Sequence, residues 1–375
     1  MTSLQNEIEA LPDNFRARLA RYHFDQDRLL SLTAGLAEGD ASNRVTEDVT
    51  VPASGDVTAL PEPGSSEEQE LSALGRQAMS QGQVGLVVMA GGMATRMGGV
   101  VKALVEVTDS IRFLDIRLQE AKLCGANYGK ALPLFIMTSA ATDDGIREAL
   151  RESEAPDTVQ CFSQELSLRV TPTGSLFCNA DGTPSEHAPG HGDLPDALRR
   201  SGLLDSFIRD GGKYLLMTNL DNLGATIDEV VVGFHIRHGQ ALSCEVVDKL
   251  SSDRGGIPVR RGGRAEVLEE FRLPEGFDAN SVPVFNTNTF LVNATALQDL
   301  NVSWSFFQVT KTVDDRSAVQ FERLVGELTS FLDTRFLLVP RTGKRSRFLP
   351  VKSFEELQST RHHILDLCRS RGLLP

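Results

Sequence analysis

From Val84 onwards, short apolar runs alternate with stretches in which apolar residues recur at helical spacing. Continuous apolar runs of this length are typical of strands that are buried on both faces. We therefore predict strands in VGLVVMA, LPLFIMTS, VQCFSQ and YLLMTNLDN, with helices near residues 112–123 and 143–151. Such alternation of strands and helices predicts a mostly parallel sheet with helices on both faces.

The segment before Val84 has a different pattern. Apolar residues at helical spacing in residues 4–38, interrupted by Pro12, predict two or three short helices. Residues 39–70 are polar, acidic and rich in Gly, Pro and Ser, which predicts a linker or an arm extended along the surface. We expect residues 1–83 to form an N-terminal helical segment and linker in front of the main domain.

Beyond residue 240 the strand pattern becomes irregular, which indicates mixed or antiparallel additions to the sheet. The predicted elements are strands at 241–247, 283–292 and 335–341, a hairpin that turns at Gly262 and Gly263, and a helix at 318–331. A closing helix is predicted after Ser353, because Ser353 and Glu356 have the spacing of a capping box. We expect residues 84–340 to form the main domain and residues 341–375 a C-terminal segment.

The segment AGGMATRMGGVVK, residues 90–102, follows the first predicted strand of the main domain. Its glycines permit close backbone approach to a ligand, while Thr95, Arg96 and Lys102 supply a hydroxyl and two cations suited to polyphosphate oxygens. The order of residues is that of neither a Walker loop nor a dinucleotide-binding fingerprint. The segment alone leaves two interpretations open: an ordinary glycine turn, or a loop that binds the phosphates of a nucleotide.

Polar residues also follow other predicted strands of the sheet. Thr138, Gln164 and the segment 219–222 fall at strand ends, and the carboxyl ends of parallel strands meet at one crevice. Asp221 is a carboxylate at such an end, where a hard cation such as Mg²⁺ is held together with phosphate oxygens. The alternative is that Asp221 caps a turn before the helix predicted near Asp228.

The histidines offer one candidate contact and two weak metal patterns. His191 lies between glycines in PGHGD and is suited to contact a phosphate or a sugar. His187 with His191, and His235 with His238, suggest zinc, but no further ligand set has the expected spacing. We interpret His235 and His238 as helix-surface residues. With no Ser/His/Asp elbow motif, we expect chemistry that rests on positioning and charge neutralisation.

Composition narrows the class of partner. The chain has 375 residues and a formal charge of −13, which argues against nucleic acid because its phosphates are bound by clustered Lys and Arg. The five cysteines form no CxxC pair, so we expect a reducing, cytoplasmic location. We also expect neither a signal leader nor a membrane span, since the sequence shows no basic start before an apolar segment and no apolar run of spanning length.

Seven motifs occur in order between residues 84 and 352. They are AGGxxTRMGxxxK, FxQ at 162–164, PGHGD, NLDNLGATID at 219–228, EVVDK at 245–249, FNTNTF at 285–290 and RFLPVK at 347–352. This set resembles the UTP–glucose-1-phosphate uridylyltransferases, or UDP-glucose pyrophosphorylases, of the eukaryotic-type UDP-sugar pyrophosphorylase superfamily. The resemblance implies an α/β, Rossmann-like nucleotidyltransferase fold of the GT-A-like type, with a mixed, mostly parallel sheet flanked by helices and an N-terminal helical segment.

The resemblance also implies a reaction and a set of roles. The sugar 1-phosphate would attack the α-phosphorus of UTP, and pyrophosphate would leave. Lys102 would neutralise the phosphates, assisted by Arg96, and Asp221 would hold Mg²⁺. The residues expected to contact the nucleotide are Ala90, Gly91, Gly92, Gln164, His191 and Gly192, with the backbone at 90–92 and the Gln164 amide reading uracil.

The same resemblance assigns the sugar end of the site. Asn219 would lie close to the sugar phosphate, and Glu245, Asn286 and Asn288 match positions that bind sugar hydroxyls. Lys352 matches a second cation, which meets the phosphates on closure. A polar strand face remains an alternative for Asn286 and Asn288, because residues two apart in a regular strand share a face.

Three departures from the family pattern leave alternatives open. Ala94 stands where glycine is usual, Lys102 lacks the usual preceding proline, and the glycine loop is one residue shorter. The chain ends at residue 375, so the resemblance implies that the C-terminal β-helix domain is missing and leaves monomer and dimer both open. A related enzyme using N-acetylglucosamine or galactose 1-phosphate is one alternative function. A UDP-sugar-binding or regulatory protein without turnover is another.

Overall fold

The computed structural model describes residues 3–36, 43–94, 98–108 and 110–374. Its helices are α1 Ser3–Glu9, α2 Asp13–Arg21, α3 Gln26–Ala34, α4 Ser66–Ser80, α5 Phe113–Tyr128, α6 Asp143–Glu152, α7 Leu194–Arg200, α8 Leu203–Arg209, α9 Glu229–His238, α10 Ala294–Gln298, α11 Leu328–Phe331 and α12 Phe354–Ser370. Its strands are β1 Val49–Thr50, β2 Val57–Ala59, β3 Val84–Met89, β4 Met93–Ala94, β5 Val100–Val101, β6 Glu106–Thr108, β7 Ile111–Arg112, β8 Leu134–Thr138, β9 Val159–Ser163, β10 Ser167–Leu168, β11 Glu186–His187, β12 Tyr214–Asn219, β13 Leu242–Asp248, β14 Gly256–Arg261, β15 Arg264–Glu269, β16 Val284–Asn293, β17 Phe307–Val313, β18 Arg316–Glu322 and β19 Thr334–Leu338.

The central sheet of the described residues has the strand order β2-β19-β13-β16-β12-β3-β8-β9. The four strands from β12 to β9 are parallel to one another, and β2, β19 and β13 form a second parallel set. Strand β16 runs antiparallel to β12 and β13 and joins the two sets. The predicted mixed, mostly parallel sheet is therefore confirmed.

Strand β3 shows why its apolar run forms a central strand. All six residues of β3 are buried, and alternate side chains point to opposite faces of the sheet. Leu86 and Val88 belong to one hydrophobic cluster, while Val87 and Met89 belong to another. Because both faces of this strand are covered, an uninterrupted apolar run is favourable here.

The segment before Val84 is more ordered than a linker. Helices α1 to α3 confirm the prediction of two or three short helices, but the predicted linker contains β1 and β2 and ends in the first turn of α4. Helix α4 begins early because the Ser65 hydroxyl accepts a hydrogen bond from the Glu68 amide at 3.1 Å. Strand β2 lies at the edge of the central sheet. The domain boundaries at 84 and 341 stay a prediction.

The helix predicted over residues 318–331 is wrong in its first part. Residues 316–322 form β18, which pairs with β17 in an antiparallel hairpin, and α11 covers only residues 328–331. Asp314 and Asp315 turn the hairpin with φ angles of 48° and 58°, as a type I′ turn requires. Val319 and Phe321 pack with the N-terminal helices, and this distant partner decides for a strand.

The prediction of two helix-surface histidines is wrong for His235. Helix α9 packs against α4 so closely that a Cβ on either Gly75 or Gly233 would overlap the backbone of the other helix. His235 is 1% exposed and bonds to Ser243 at 2.8 Å and to Asn293 at 3.0 Å. Burial lowers the pKa of His235 to about 4, so the ring is neutral in the core.

The closing helix is capped as expected, although with a different partner for the acid. The Ser353 hydroxyl accepts from the Glu356 amide at 3.1 Å, while the Glu356 carboxylate accepts from the amide of Lys352 at 2.6 Å. Within the described residues, none of the helices combines the length and the apolar character needed to cross a bilayer.

Candidate functional site

The carboxyl ends of β3, β8, β9 and β12 lie side by side along one edge of the central sheet. They bring together the glycine segment at Ala90–Gly92, Ser139, Gln164 and Asn219. This edge is where ligands bind in open parallel sheets, because helices and loops leave a crevice beyond the strand ends. The strand ends that were expected to meet therefore do lie together at one edge.

Gln164 is packed directly over Gly91. A Cβ on Gly91 would overlap Nε2 of Gln164, so a larger residue at this position would displace the Gln164 amide. The Ser139 hydroxyl donates to the Gly91 carbonyl at 2.8 Å and fixes the backbone there. Gln164 is 4% exposed, and its Oε1 has no hydrogen-bond partner among the described residues. A buried acceptor left unpaired costs free energy, which a ligand donor can recover.

The glycine loop leads from this crevice to Lys102. Strands β4 and β5 pair as a short ribbon, and Gly98 and Gly99 turn with φ angles of 80° and 75°. Arg96, a predicted catalytic residue, lies outside the described residues, as does Thr95. Lys102 opens a 3₁₀ turn over 102–104, directly after the ribbon.

Lys102 and Asp221 form an ion pair at this edge of the sheet. The Nζ of Lys102 donates to Oδ2 of Asp221 at 2.7 Å, and the two side chains are 20% and 12% exposed. Helix α9 is capped by Asp228, whose carboxylate accepts from Val230 and Val231. Asp228 therefore caps that helix, and Asp221 instead faces the ammonium of Lys102 at the end of the glycine loop.

Arg117 holds the loop that carries Asp221. Its guanidinium donates to the carbonyls of Asn219 at 3.2 Å, Asn222 at 2.8 Å and Ala225 at 2.9 Å. Arg117 is 1% exposed and lies in helix α5. Sequence reasoning missed this residue. An arginine placed among the apolar residues of FLDIRL was the available signal, because a buried arginine needs fixed acceptors.

Asn222 connects the same loop to the C-terminal segment. Its Oδ1 accepts from the Leu349 amide at 2.8 Å, and its Nδ2 donates to the Arg347 carbonyl at 3.2 Å. Asn222 is fully buried. The backbone of RFLPVK is therefore tied to the residue that follows Asp221.

The donor set around Asp221 fits a cation that arrives with phosphates. Within the described residues, no group of three His, Cys, Asp or Glu side chains is placed to hold a metal ion. Mg²⁺ is commonly bound through one carboxylate together with substrate phosphates and water. A single carboxylate at Asp221 matches that mode of binding.

The PGHGD loop is held by close backbone contact. Gly190 has a φ angle of 89°, and a Cβ on Gly192 would lie 2.5 Å from the Leu324 amide nitrogen. Nδ1 of His191 accepts from the Val325 amide at 3.0 Å. Burial lowers the pKa of His191 to about 4, so the ring is neutral and its Nε2 carries the proton. His191 is thereby suited to donate to a ligand oxygen.

The predicted sugar residues form two connected groups. Both carboxylate oxygens of Glu245 accept from Arg347, at 2.9 and 2.6 Å, and both side chains are buried. Asn286 accepts from the Asn288 amide at 2.9 Å, and Asn288 donates to Asn219 at 3.1 Å. The structure thus brings Asn219, Asn286 and Asn288 together, while Glu245 is first of all the partner of an arginine that sequence reasoning missed.

A β-bulge interrupts the regular pairing of β16 between Asn286 and Thr289. Glu245 pairs with Thr289 and Val246 pairs with Asn286, so residues 287 and 288 are extra in β16. Asn288 has a φ angle of 57°, in the left-handed region that asparagine tolerates better than most residues. The regular period of two, on which the alternative of a shared strand face rested, is therefore interrupted between Asn286 and Thr289.

Lys352 interacts with a residue other than Lys102 and Asp221. Lys352 is exposed, and its charge acts on Asp253. Burial by itself would raise the pKa of Asp253, but hydrogen bonds from Arg341 and the Leu250 amide, with a smaller effect of Lys352, lower it. The role expected for Lys352 at the phosphates stays a prediction.

The fold and this edge define a nucleotidyltransferase-like α/β protein, with a glycine loop, a lysine and a carboxylate at the ends of parallel strands. The chain belongs to the UTP–glucose-1-phosphate uridylyltransferase family, whose sequence model matches residues 42–373. UTP–glucose-1-phosphate uridylyltransferase 2 of Dictyostelium discoideum is 30% identical over 326 residues, which cover 82% of this chain and 64% of that protein.

Two solved structures support the fold. A UDP-glucose phosphorylase of Trypanosoma brucei matches with a TM-score of 0.72 and 23% identity, over 89% of this chain and 73% of that one. A uridine diphosphate N-acetylglucosamine pyrophosphorylase of the same organism matches with a TM-score of 0.72 and 18% identity, over 90% and 74%. The chain spans 57% to 64% of the length of the curated relatives it matches.

Proposed function

We propose that this chain transfers a uridylyl group from UTP to glucose 1-phosphate, giving UDP-glucose and pyrophosphate. The observation that carries the proposal is the Lys102–Asp221 pair, 2.7 Å apart at the carboxyl edge of the sheet that also holds Gln164. A lysine and a metal-binding carboxylate beside a base-reading amide match the needs of a nucleotidyl transfer. Membership of the family supports the choice of UTP and glucose 1-phosphate.

The reaction would be a direct displacement. An oxygen of the sugar phosphate attacks the α-phosphorus of UTP, the bond to the β-phosphate oxygen breaks, and pyrophosphate leaves. Lys102 would turn from Asp221 to the phosphates and neutralise charge that develops on them, with Arg96 assisting at the triphosphate. Asp221 would hold Mg²⁺, which when bound counters the charge of the phosphate oxygens.

Recognition of the base would use Gln164 and the backbone of Ala90, Gly91 and Gly92. Uracil presents an N–H donor between two carbonyl acceptors, and the unpaired Oε1 of Gln164 is an acceptor of the required kind. His191 and Gly192 would lie close to the nucleotide, with the His191 Nε2 proton available to an oxygen.

The sugar end would be formed by the connected amides of Asn219, Asn286 and Asn288. These amides offer donors and acceptors to a ring of hydroxyls. Glu245 would contact a hydroxyl only through lone pairs that Arg347 leaves available, since a carboxylate has about four acceptor positions. Lys352 would reach the phosphates through movement of the C-terminal segment, whose backbone is tied to Asn222.

A turnover assay tests the proposal. We expect the purified chain, mixed with UTP, glucose 1-phosphate and Mg²⁺, to release pyrophosphate, and to do so far more slowly with CTP or without metal. Saturable binding of UDP-glucose without pyrophosphate release would instead identify a binding protein. No binding and no release would reject the assignment.

A sugar screen in the same assay addresses the closest alternative. One structural neighbour is named a UDP-N-acetylglucosamine pyrophosphorylase. Faster turnover with N-acetylglucosamine or galactose 1-phosphate would change the substrate while the uridylyl transfer stands.

We also predict a cytoplasmic location, because all five cysteines lie within the described ranges as free thiols, as is usual in a reducing compartment.

A further inference from the structure

The N-terminal helices dock on the residues that immediately follow β9. Leu166 packs in one hydrophobic cluster with Leu19 and Leu29 of helices α2 and α3. The Leu166 amide donates to the Tyr22 carbonyl at 3.0 Å. The polypeptide that leaves β9 is therefore anchored to the N-terminal segment only two residues beyond Gln164.

Glu165, between those two residues, is the centre of a buried charge network. Its carboxylate pairs with Arg28 of α3, with Arg200 of α7 at 3.3 Å and with Arg323 at 3.7 Å. Its backbone amide donates to Asp193 of the PGHGD loop at 2.6 Å. Glu165 thereby joins the N-terminal helices to both segments proposed to contact the nucleotide.

Three successive residues thus face three environments. Gln164 lies against Gly91, Glu165 lies in the charge network, and Leu166 packs against the N-terminal helices. Because the three residues share one short stretch of backbone, the anchors of Glu165 and Leu166 act on the position of Gln164 together with the bond from its amide to the Thr138 carbonyl at 3.0 Å. The Gln164 Oε1 has no hydrogen-bond partner among the described residues, so no bond at that oxygen holds the amide.

The orientation of its side-chain amide decides which base a glutamine can recognise. A side-chain amide carries an acceptor at one corner and a donor at the other, and a rotation of its plane exchanges them. Uracil and cytosine differ in just this way at N3 and the neighbouring exocyclic group. A glutamine discriminates between the two bases only where its surroundings fix one orientation.

Arg28 is the contribution of the N-terminal helices to this arrangement. Its side chain is 26% exposed, and its guanidinium pairs with Asp25 at 3.5 Å and lies 5.1 Å from the centre of the Phe306 ring. Loss of Arg28 would leave Glu165 with Arg200 and Arg323, so the buried carboxylate would keep partners. The network would weaken at one corner without leaving an isolated buried charge.

We propose that Arg28 is a positioning residue for uracil recognition, which acts by holding Glu165 and thereby fixing the Gln164 amide over Gly91. The N-terminal helices are then part of the nucleotide site. This inference rests on the proposed function, because it takes Gln164 as the residue that reads the base.

The test compares Arg28→Met with the wild-type full chain. We expect the KM and the calorimetric Kd for UTP to rise about tenfold, the scale of one lost charge-assisted hydrogen bond. The preference for UTP over CTP should fall, while kcat changes by less than about twofold because Lys102 and Asp221 are untouched. Arg28→Lys keeps the cation and should recover most of the selectivity.

Arg16→Met is the matched control. Arg16 lies in α2, is 52% exposed and pairs with the exposed Asp13, so its loss should leave UTP binding unchanged. If Arg28→Met is too unstable to measure, Arg28→Gln removes the charge, keeps an amide donor and carries the same expectation.

Two results would overturn the inference. One is an Arg28→Met variant with wild-type Kd and wild-type selectivity. The other is an equal loss of affinity for UTP and CTP, which would indicate a structural role alone. A wild-type chain that binds UTP without turnover would contradict the proposed function instead, and the Arg28 comparison would still be decided by the binding measurements.

Discussion

At the scale of single residues, Lys102 and Asp221 neutralise each other's charge. Replacing Lys102 by Met should lower turnover by at least about two orders of magnitude, as loss of one transition-state donor does. The same change should tighten binding of Mg²⁺ to the protein without nucleotide, because Asp221 loses the ammonium that lies 2.7 Å away. Pyrophosphate release and calorimetric titration with MgCl₂ measure the two effects.

Lys122→Met is a suitable control for the lost lysine, because Lys122 is exposed on α5. It should leave both quantities unchanged. Near-normal turnover in Lys102→Met would remove the central assignment. Unchanged metal affinity would show that the ion pair does not limit access to Asp221.

At the scale of elements, the PGHGD loop depends on how closely it approaches the backbone after β18. A Cβ on Gly192 would lie 2.5 Å from the Leu324 nitrogen, although Gly192 has no unusual φ angle. Gly192→Ala should therefore displace the loop, weaken UTP binding and destabilise the fold by ~1–3 kcal/mol, as overpacking does. Urea unfolding and a UTP titration measure the two effects.

Gly55→Ala provides the comparison at a glycine with open space around its Cβ position and no unusual φ angle. It should leave stability within about 0.5 kcal/mol and UTP affinity unchanged. A Gly192→Ala protein with wild-type stability would mean that the loop yields without cost, and the close approach would then not explain the glycine.

The elements also show where a local pattern fails. The alternation of apolar runs and helical stretches correctly predicted β3, β8, β9 and β12. Strands β3, β8 and β12 are almost completely buried, while β9 is a partly buried strand at the edge of the sheet. The alternation failed at β18, where Val319 and Phe321 bury themselves against the distant N-terminal helices. Helical and strand patterns are hard to separate in a short segment, so a remote partner decides.

At the scale of the whole molecule, Glu269 links stability to pH. Burial first, and then the charge of Glu270, raises the pKa of Glu269 from 4.5 to about 7. The folded protein thus holds this proton more tightly than the unfolded chain, and the stabilisation present below about pH 4.5 is lost as the pH rises through about 7. Glu269→Gln should raise the thermal unfolding midpoint relative to wild type at pH 8 and leave it nearly unchanged at pH 5.

The exposed Glu275 serves as the control, and Glu275→Gln should have no pH-dependent effect. An equal shift of the midpoint by Glu269→Gln at pH 5 and pH 8 would contradict the argument. The shift of the unfolding midpoint would then come from changed packing at this position, since a titrating carboxyl must act differently on the two sides of its pKa.

The residues of the candidate site also divide into those that the sequence predicts and those that it does not. Lys102, Gln164 and Asp221 were predictable because each directly follows a strand or a glycine loop that the sequence shows. Arg117, Arg323 and Arg347 were not, because their acceptors lie far away in the chain and the residues are buried by tertiary contacts. The one local signal was at Arg117, which stands among the apolar residues of FLDIRL.

The sequence by itself determined the mostly parallel sheet, the order of its motifs and the side chains at its carboxyl edge, since hydrophobic period and turn residues act over a few neighbours. Only the tertiary structure decided that Lys102 meets Asp221, that a bulge sets Asn288 beside Asn219, and that Arg28 reaches Glu165. Those contacts join residues from 69 to 137 positions apart, and chain packing alone brings them within bonding distance.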